Sequence, residues 1–391
     1  MTTPSDPPAP LTPAQQDAAF RPSHTPATPW PALAQALAGA GIAAHVHGAA
    51  PADGVTGVSL DSRVVRPGDL YVAVPGARAH GAAFAATALE AGAVGVLTDA
   101  AGRALLAEQG LADVPVLEVD AVRTAAGTVA ARVYGGGGDA GPRLLGVTGT
   151  NGKTTTSFLA AALLEALGRR SGIVGTILIR AGEREVPSTL TTPEATQLHA
   201  LMALMREEEV DTAVMEVSSH AVAYQRIAGL RYAVAGFTNL TQDHLDMHGS
   251  MQEYFAAKAG LFDPARTDHA VITLDGGEGP RWGVAMARAA GAPVTTLALG
   301  PAAPTPGMSR CRPIPQSRSL DRMIDQTCDV AVIGAGTAGI AVPVRGRGDQ
   351  VVAGLGVITP AGDPAARAGA IVQALHTAAH GIRRTLRDAP R

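Results

Sequence analysis

One stretch constrains this chain more than any other. The apolar run Leu144–Val147 passes into Thr148-Gly149-Thr150-Asn151-Gly152-Lys153-Thr154-Thr155-Thr156, and a helix-forming segment, Ser157 to Leu167, follows. A strand, a glycine-bracketed turn and a helix in that order make a phosphate loop. The glycines let backbone N–H groups face inward, the helix start adds its positive end, and Lys153 adds a point charge for β- and γ-phosphates. The Thr154 hydroxyl is then placed to touch Mg²⁺. The usual pattern has glycine five residues before Gly152, where this chain has Val147.

The surrounding chain fits a multidomain protein. Its 391 residues predict two or three domains. A net charge of -3 argues against a protein that works on nucleic acid or an anionic membrane. No apolar run approaches the ~20 residues that span a bilayer, and no basic stretch precedes an apolar core at the N-terminus. Cys311 and Cys328 form neither a CxxC pair nor a disulfide framework, so a reduced, cytoplasmic setting is expected.

Residues 1–29 are Pro, Thr, Ser and Ala with little periodicity and read as a disordered tail. Residues 30–134 alternate short apolar strands with helical stretches and read as a small α/β domain. Asp61-Ser62-Arg63, at the end of one such strand, is suited to a phosphate or sugar, or to a cap and a salt bridge. The run 135–142, Gly-Gly-Gly-Gly-Asp-Ala-Gly-Pro, is a flexible linker. Residues 143–300 read as a larger α/β domain with a mostly parallel sheet. Glu216 falls near the end of the strand Asp211–Val217, and His244 lies beyond the strand Ala233–Thr238. Ligands of such sheets sit beyond the carboxyl ends of the strands, where these residues and the phosphate loop can converge.

Several of these motifs, in this order, resemble the Mur ligase family of peptidoglycan synthesis. They are Thr148 to Thr154, Glu216-Val217-Ser218-Ser219-His220 and Asp243-His244-Leu245-Asp246-Met247-His248-Gly249. Asp61-Ser62-Arg63, Pro67-Gly68-Asp69-Leu70 and the loop Ser188-Thr189-Leu190-Thr191-Thr192-Pro193 are similar to the MurE type. The resemblance covers residues ~30–300. It implies a small N-terminal UDP-substrate domain followed by a central P-loop-type ATPase domain. It also implies an ATP-dependent ligase that adds meso-diaminopimelate, or L-lysine, to UDP-N-acetylmuramoyl-L-alanyl-D-glutamate through an acyl phosphate. The family default is a cytoplasmic monomer.

Carried onto this sequence, the resemblance gives each residue a role. Gly149, Thr150, Asn151, Gly152, Lys153, Thr154 and Thr155 would bind ATP. Thr154, Glu216, His244 and Lys258 would hold Mg²⁺, and Lys153, Lys258, Glu216 and His244 would carry the catalysis. Lys258 matches the family's carbamylated lysine, in which an ammonium becomes a carboxylate-like ligand. Ser62, Thr191, Thr192, Ser218 and Arg226 would contact the UDP substrate. The sequence departs from the family at His80-Gly81-Ala82, where Asp-Gly-His is usual, and at Tyr224, where some members have a substrate-binding glutamine.

The family pattern stops near Pro301. Residues 301–328 read as a linker rich in Pro, Arg and Ser, and 329–391 as an atypical C-terminal segment. Asp329 to Gly339 is similar to the opening strand and glycine turn of FAD- or NAD-dependent oxidoreductases. Pro343, Gly346 and Gly348 interrupt the helix that should follow, and no acidic residue sits about 20 positions on. Two alternatives therefore stand beside an active ligase: an inactive remnant that only binds ATP or UDP substrate, and a ligase like folylpolyglutamate synthase.

Overall fold

The computed structural model describes residues 13–135, 141–274, 281–298, 331–334, 337–345 and 351–360. Order begins well before residue 30, which corrects the expectation of a disordered tail over 1–29. Helix α1 (Pro13–Phe20) ends in a phenylalanine only 2% exposed. Arg21 follows and donates to both carboxylate oxygens of Asp69, at 2.7 and 2.8 Å, and to Asp17 at 2.8 Å. The Ser23 amide donates to Glu207 at 2.8 Å. One aromatic and a buried charge cluster order this segment, and neither leaves a periodic pattern.

Next come α2 (Trp30–Gly39), β1 (Ala44–His47), β2 (Gly57–Ser59), β3 (Asp69–Val72), α3 (Ala85–Glu90), β4 (Gly95–Thr98), α4 (Ala100–Glu108), β5 (Val116–Val119) and α5 (Val122–Tyr134). The strands form one sheet in the order β1-β5-β4-β3-β2, parallel except for β1. Its core gathers Trp30, Leu33 and Leu37 from one face of α2, with Leu70 and Val72 of β3 and Val129 and Val133 of α5. Helix α4 starts at Ala100 because Asp99 accepts from the Gly102 amide at 2.8 Å. The unusual His80 serves the same corner. Its Nδ1 accepts from the Ala82 amide at 3.0 Å, which leaves the proton on Nε2, 3.0 Å from Asp99.

The chain continues through β6 (Arg143–Thr148), α6 (Lys153–Ala166), β7 (Ser171–Val174), β8 (Leu178–Ala181), β9 (Arg184–Pro187), α7 (Ala195–Glu207), β10 (Thr212–Glu216), α8 (Ser219–Ala223), β11 (Tyr232–Phe237), α9 (Leu245–His248), α10 (Met251–Ala259), β12 (Ala270–Leu274), α11 (Trp282–Ala289) and β13 (Val294–Ala298). Two compact units result. The first holds the described residues up to Pro142 together with Ile177–Glu209 and His220–Leu230. The second holds Arg143–Thr176, Val210–Ser219 and the described residues from Arg231 on. The β8–β9 hairpin and α7, expected from sequence within the 143–300 domain, thus group with the first unit. The reason is packing: Arg206 of α7 donates to the Tyr134 carbonyl at 2.8 Å, and the α7 face Leu198, Leu201, Leu204 and Met205 is buried.

His199 of α7 is buried beside the Ala228 carbonyl, 2.9 Å from Nε2, and burial pushes its pKa down to about 4. The unfolded chain binds that proton near pH 6.5. Between those values the unfolded state holds more protons, so stability falls as pH drops from about 6.5 toward 4. Melting of a His199→Gln variant, which keeps a donor for Ala228, is expected to lose much of that acid sensitivity.

In the second unit six strands run in the order β13-β12-β11-β6-β10-β7, each pair parallel. The strand carrying the phosphate loop, β6, lies centrally between β10 and β11. Further on, β14 (Ala331–Gly334), β15 (Thr337–Arg345) and β16 (Val351–Pro360) form an antiparallel meander. A dinucleotide-binding unit needs a helix after its first strand and a parallel return. Here β14 pairs antiparallel with the next strand, so the glycine turn opens no such unit. The expected linker at 301–328 lies outside the described residues, as does the run Gly136–Asp139.

Candidate active site

The carboxyl ends of β6, β7, β10 and β11 shape the site of the second unit. Gly149 has φ +147°, and a Cβ there would run into the Thr238 hydroxyl and the Asn239 backbone. Gly152, at φ +84°, caps α6. Because the cap is glycine in the left-handed region, α6 begins at Lys153 and not near Ser157. Lys153, Thr154 and Thr155 therefore occupy the first turn, whose amide groups have no partner within the helix. Asn239 braces the loop. Its Oδ1 accepts from the Asn151 amide at 3.0 Å, its Nδ2 donates to the Asn151 carbonyl at 3.1 Å, and its own carbonyl accepts from Thr150 N at 3.0 Å. Thr238 Oγ1 donates to the Asn151 carbonyl at 2.7 Å.

Two ammonium groups converge on this loop. Lys153 Nζ donates to the carbonyls of Gly149 and Thr150, both at 3.0 Å, and Lys258 Nζ donates to Gly149 O at 2.9 Å. Both pKa values are lowered, first by burial; Lys258, 1% exposed, is pushed down to about 7, with the Lys153 charge as a further cause. Glu216 and Asp243 oppose the shift at Lys153, and Asp243 does so at Lys258. Tyr254, from the same helix, holds Lys258. Its ring face lies 4.6 Å from Nζ, and its hydroxyl is 3.3 Å from Thr150 Oγ1. Lys153 brings positive charge to an anion in this loop, while the lowered pKa of Lys258 leaves it only partly charged near neutral pH.

Glu216 is fully buried at the end of β10. It accepts from Thr154 Oγ1 at 2.8 Å, from the Thr176 amide at 3.0 Å and from Thr176 Oγ1 at 3.2 Å. Among the described residues no group of three His, Cys, Asp or Glu is placed to hold a metal ion. Thr154 and Glu216 instead offer a pair of hard oxygens, which fits Mg²⁺, an ion that keeps most of its waters and takes phosphate oxygens. His244 is exposed and sits at φ +53° as the cap of α9, with its ring edge-on to Tyr254 at 6.1 Å. His248 is buried, with Nε2 2.9 Å from Ser219 Oγ, and Ser250 caps α10.

The first unit carries a cavity of about 420 Å³. Its walls include Asp17, Ser59, Asp61, Arg63, Thr189, Glu194 and Gln197. Asp61 and Arg63 clasp each other, Nη2 to Oδ2 at 2.6 Å, which holds the Asp61 carboxyl below its usual range. Ser62 is buried between these two lining residues. Arg226 donates to the Thr192 carbonyl at 3.2 Å and pairs with Glu194 at 2.9 Å. Thr192 is buried, Thr191 half-buried, and Ser218 belongs to the second unit. Sequence reading missed Asp17, Glu194 and Gln197 in this unit, and Thr176, Thr238, Asn239 and Tyr254 in the other. Thr238 and Asn239 were within reach, since they directly follow a strand at its carboxyl end.

Residues 54–134 match the model of the Mur ligase family, catalytic domain, and residues 147–305 match the Mur ligase middle domain. The chain belongs to the Mur ligase family. The UDP-N-acetylmuramyl-tripeptide synthetase of Leifsonia xyli subsp. xyli is 48% identical over 279 residues, which are 71% of this chain and 52% of that protein. The UDP-N-acetylmuramoyl-L-alanyl-D-glutamate--2,6-diaminopimelate ligase of Streptomyces avermitilis is 45% identical with the same coverage. This Mur ligase chain thus spans about half the length of these relatives. Among solved structures, a UDP-N-acetylmuramoyl-L-alanyl-D-glutamate--2,6-diaminopimelate ligase shares the fold with TM-score 0.55 at 24% identity, covering 87% of this chain and 64% of the other. MurF from Acinetobacter baumannii does so with TM-score 0.50 at 18% identity, covering 94% and 69%.

Proposed function

We propose that this chain binds ATP and UDP-N-acetylmuramoyl-L-alanyl-D-glutamate and ligates an amino acid to the latter, with meso-diaminopimelate favoured over L-lysine. The observation that carries the reading is the convergence of Lys153 and Lys258 on Gly149 O beside the Thr154–Glu216 pair. Phosphoryl transfer to a carboxylate crowds negative charge, so it needs cations and positioning more than covalent help.

In this scheme the D-glutamate carboxylate attacks the γ-phosphorus of ATP and ADP departs. The incoming amine then attacks the acyl phosphate, forming the amide and releasing phosphate and a proton. Lys153 swings from its two carbonyls onto the β- and γ-phosphates, and the amides of Lys153, Thr154 and Thr155 donate to phosphate oxygens along with those of Gly149 and Gly152, while Asn239 holds the Thr150 and Asn151 amides. Thr154 and Glu216 hold Mg²⁺, with His244 at the loop edge for a second ion; bound Mg²⁺ supplies charge neutralisation. A pKa of about 7 leaves much of Lys258 as the neutral amine at neutral pH. That is the form that adds CO₂, losing a proton to become a carbamate ligand. Ser62, Thr191, Thr192, Ser218 and Arg226 contact the UDP substrate, whose polar body suits the Asp61–Glu194 cavity. A cytoplasmic monomer is the working form this reading assumes. No helix of the described residues is long and apolar enough to cross a membrane.

A second reading, binding without ligation, differs from the first only in whether product forms. The deciding assay supplies ATP, Mg²⁺, UDP-N-acetylmuramoyl-L-alanyl-D-glutamate and either meso-diaminopimelate or L-lysine, and follows ADP and product together. Matched release of ADP and tripeptide is expected. Binding of both substrates without product selects the second reading, and binding of neither sinks both.

A further inference from the structure

Arg123 is the second residue of α5, and its position runs against helix electrostatics. The N-terminal turn of a helix disfavours a cation, and α5 has no acidic residue and no side-chain cap there to offset it. The guanidinium lies 5.5 Å from the ring centroid of Tyr224, and that of Arg226 lies 6.0 Å from the same ring. Tyr224 is 42% exposed, so the face of the cluster it forms with the two cations is open to a ligand.

One carboxylate serves both arginines. Glu194 meets Arg226 Nε at 2.9 Å but Arg123 Nη1 only at 3.9 Å, beyond hydrogen-bond reach. Glu194 is also committed to α7, where it forms a capping box with Gln197. It therefore cannot turn fully to Arg123. Glu194 and Gln197 both line the 420 Å³ cavity. The acids on its other walls are already matched, Asp17 by Arg21 and Asp61 by Arg63. The Arg123–Glu194–Arg226 group leaves one positive charge in surplus, on a planar fork held against a ring with N–H groups to spare.

We propose that Arg123 is a further substrate-contact residue of this unit, donating together with Arg226 to an anionic group of a ligand that extends from the cavity past its wall residue Glu194. The proposal rests on the UDP-substrate reading given above. Two parts of that substrate carry the required chemistry: the diphosphate, and the carboxylates of the D-glutamyl end. Tyr224, in place of the amide some family members have, packs against both guanidiniums.

Isothermal titration of the full chain with UDP, and separately with UDP-N-acetylmuramoyl-L-alanyl-D-glutamate, tests this. For Arg123→Ala, affinity is expected to fall about tenfold or more, the size of a lost charge-assisted contact. Arg123→Lys keeps the charge but not the fork, and an intermediate loss is expected. Weakening toward both ligands assigns Arg123 to the diphosphate; weakening toward the dipeptide ligand alone assigns it to the carboxylate. If Arg123→Ala and Arg123→Lys both bind each ligand within twofold of wild type, the proposal is wrong. The lysine variant keeps the test free of any folding defect in the alanine variant. A wild-type chain that binds neither ligand overturns the UDP-substrate reading, and this inference with it.

Discussion

Replacing Lys153 by alanine is expected to lower ATP-dependent turnover by about 10²–10³-fold, the loss typical of removing one preorganised donor from developing charge. Nucleotide affinity should fall with it, because Lys153 is the side chain of the loop that carries positive charge to the phosphates. The structure adds a second expectation that separates function from folding. Lys153 and Lys258 share the Gly149 carbonyl, and each loses charge affinity through burial. Removing one ammonium relieves repulsion, so the ligand-free variant should melt no lower than wild type. Calorimetric ATP titration and thermal melting on the same preparation check both. A variant that binds ATP as wild type does would remove Lys153 from the nucleotide site; a variant that melts far lower would show the lysine to be structural.

The second large effect concerns stability. Arg21→Ala leaves Asp69 and Asp17 in the interior without their guanidinium, and stripping one partner from a buried ion pair costs about 3–5 kcal/mol. Arg21 side-chain exposure is 9% and that of Asp69 is 2%, so solvent cannot replace the lost partner. Burial already raises the Asp17 pKa against the pull of Arg21. With Arg21 gone, the Asp17 carboxyl rises further. A group whose folded pKa is raised destabilises most above that pKa, so the loss is largest at neutral pH and shrinks as pH falls. Urea unfolding followed by Trp30 fluorescence, in a Trp282→Phe background, reads the first unit. The idea fails if the midpoint is unmoved, or if the loss grows toward acid pH.

The phosphate loop was legible because a handful of adjacent residues carry its whole chemistry. Strand, glycine turn, Lys153 and Thr154 lie within one short run, and β5, α5 and β12 follow from local apolar patterns in the same way. Glu216 was legible as a carboxylate interrupting a buried strand. The small correction was also local: one glycine φ moves the start of α6 to Lys153. The order of α1 was not legible. It depends on Arg21 meeting Asp69, 48 residues away, and on Ser23 meeting Glu207, 184 residues away.

By itself the sequence determined the family, the α/β class and the strand, glycine turn and helix around Lys153, since each of these is written in short, contiguous motifs. Tertiary structure alone decided which charges are shared. It brought Lys258 to the carbonyl of Gly149, 109 residues distant, and so lowered its pKa toward neutrality. It also set Arg123 and Arg226 against one tyrosine and one glutamate. Propensity and periodicity act over a few residues, whereas desolvation and charge pairing depend on which distant segments the fold places within a few ångströms.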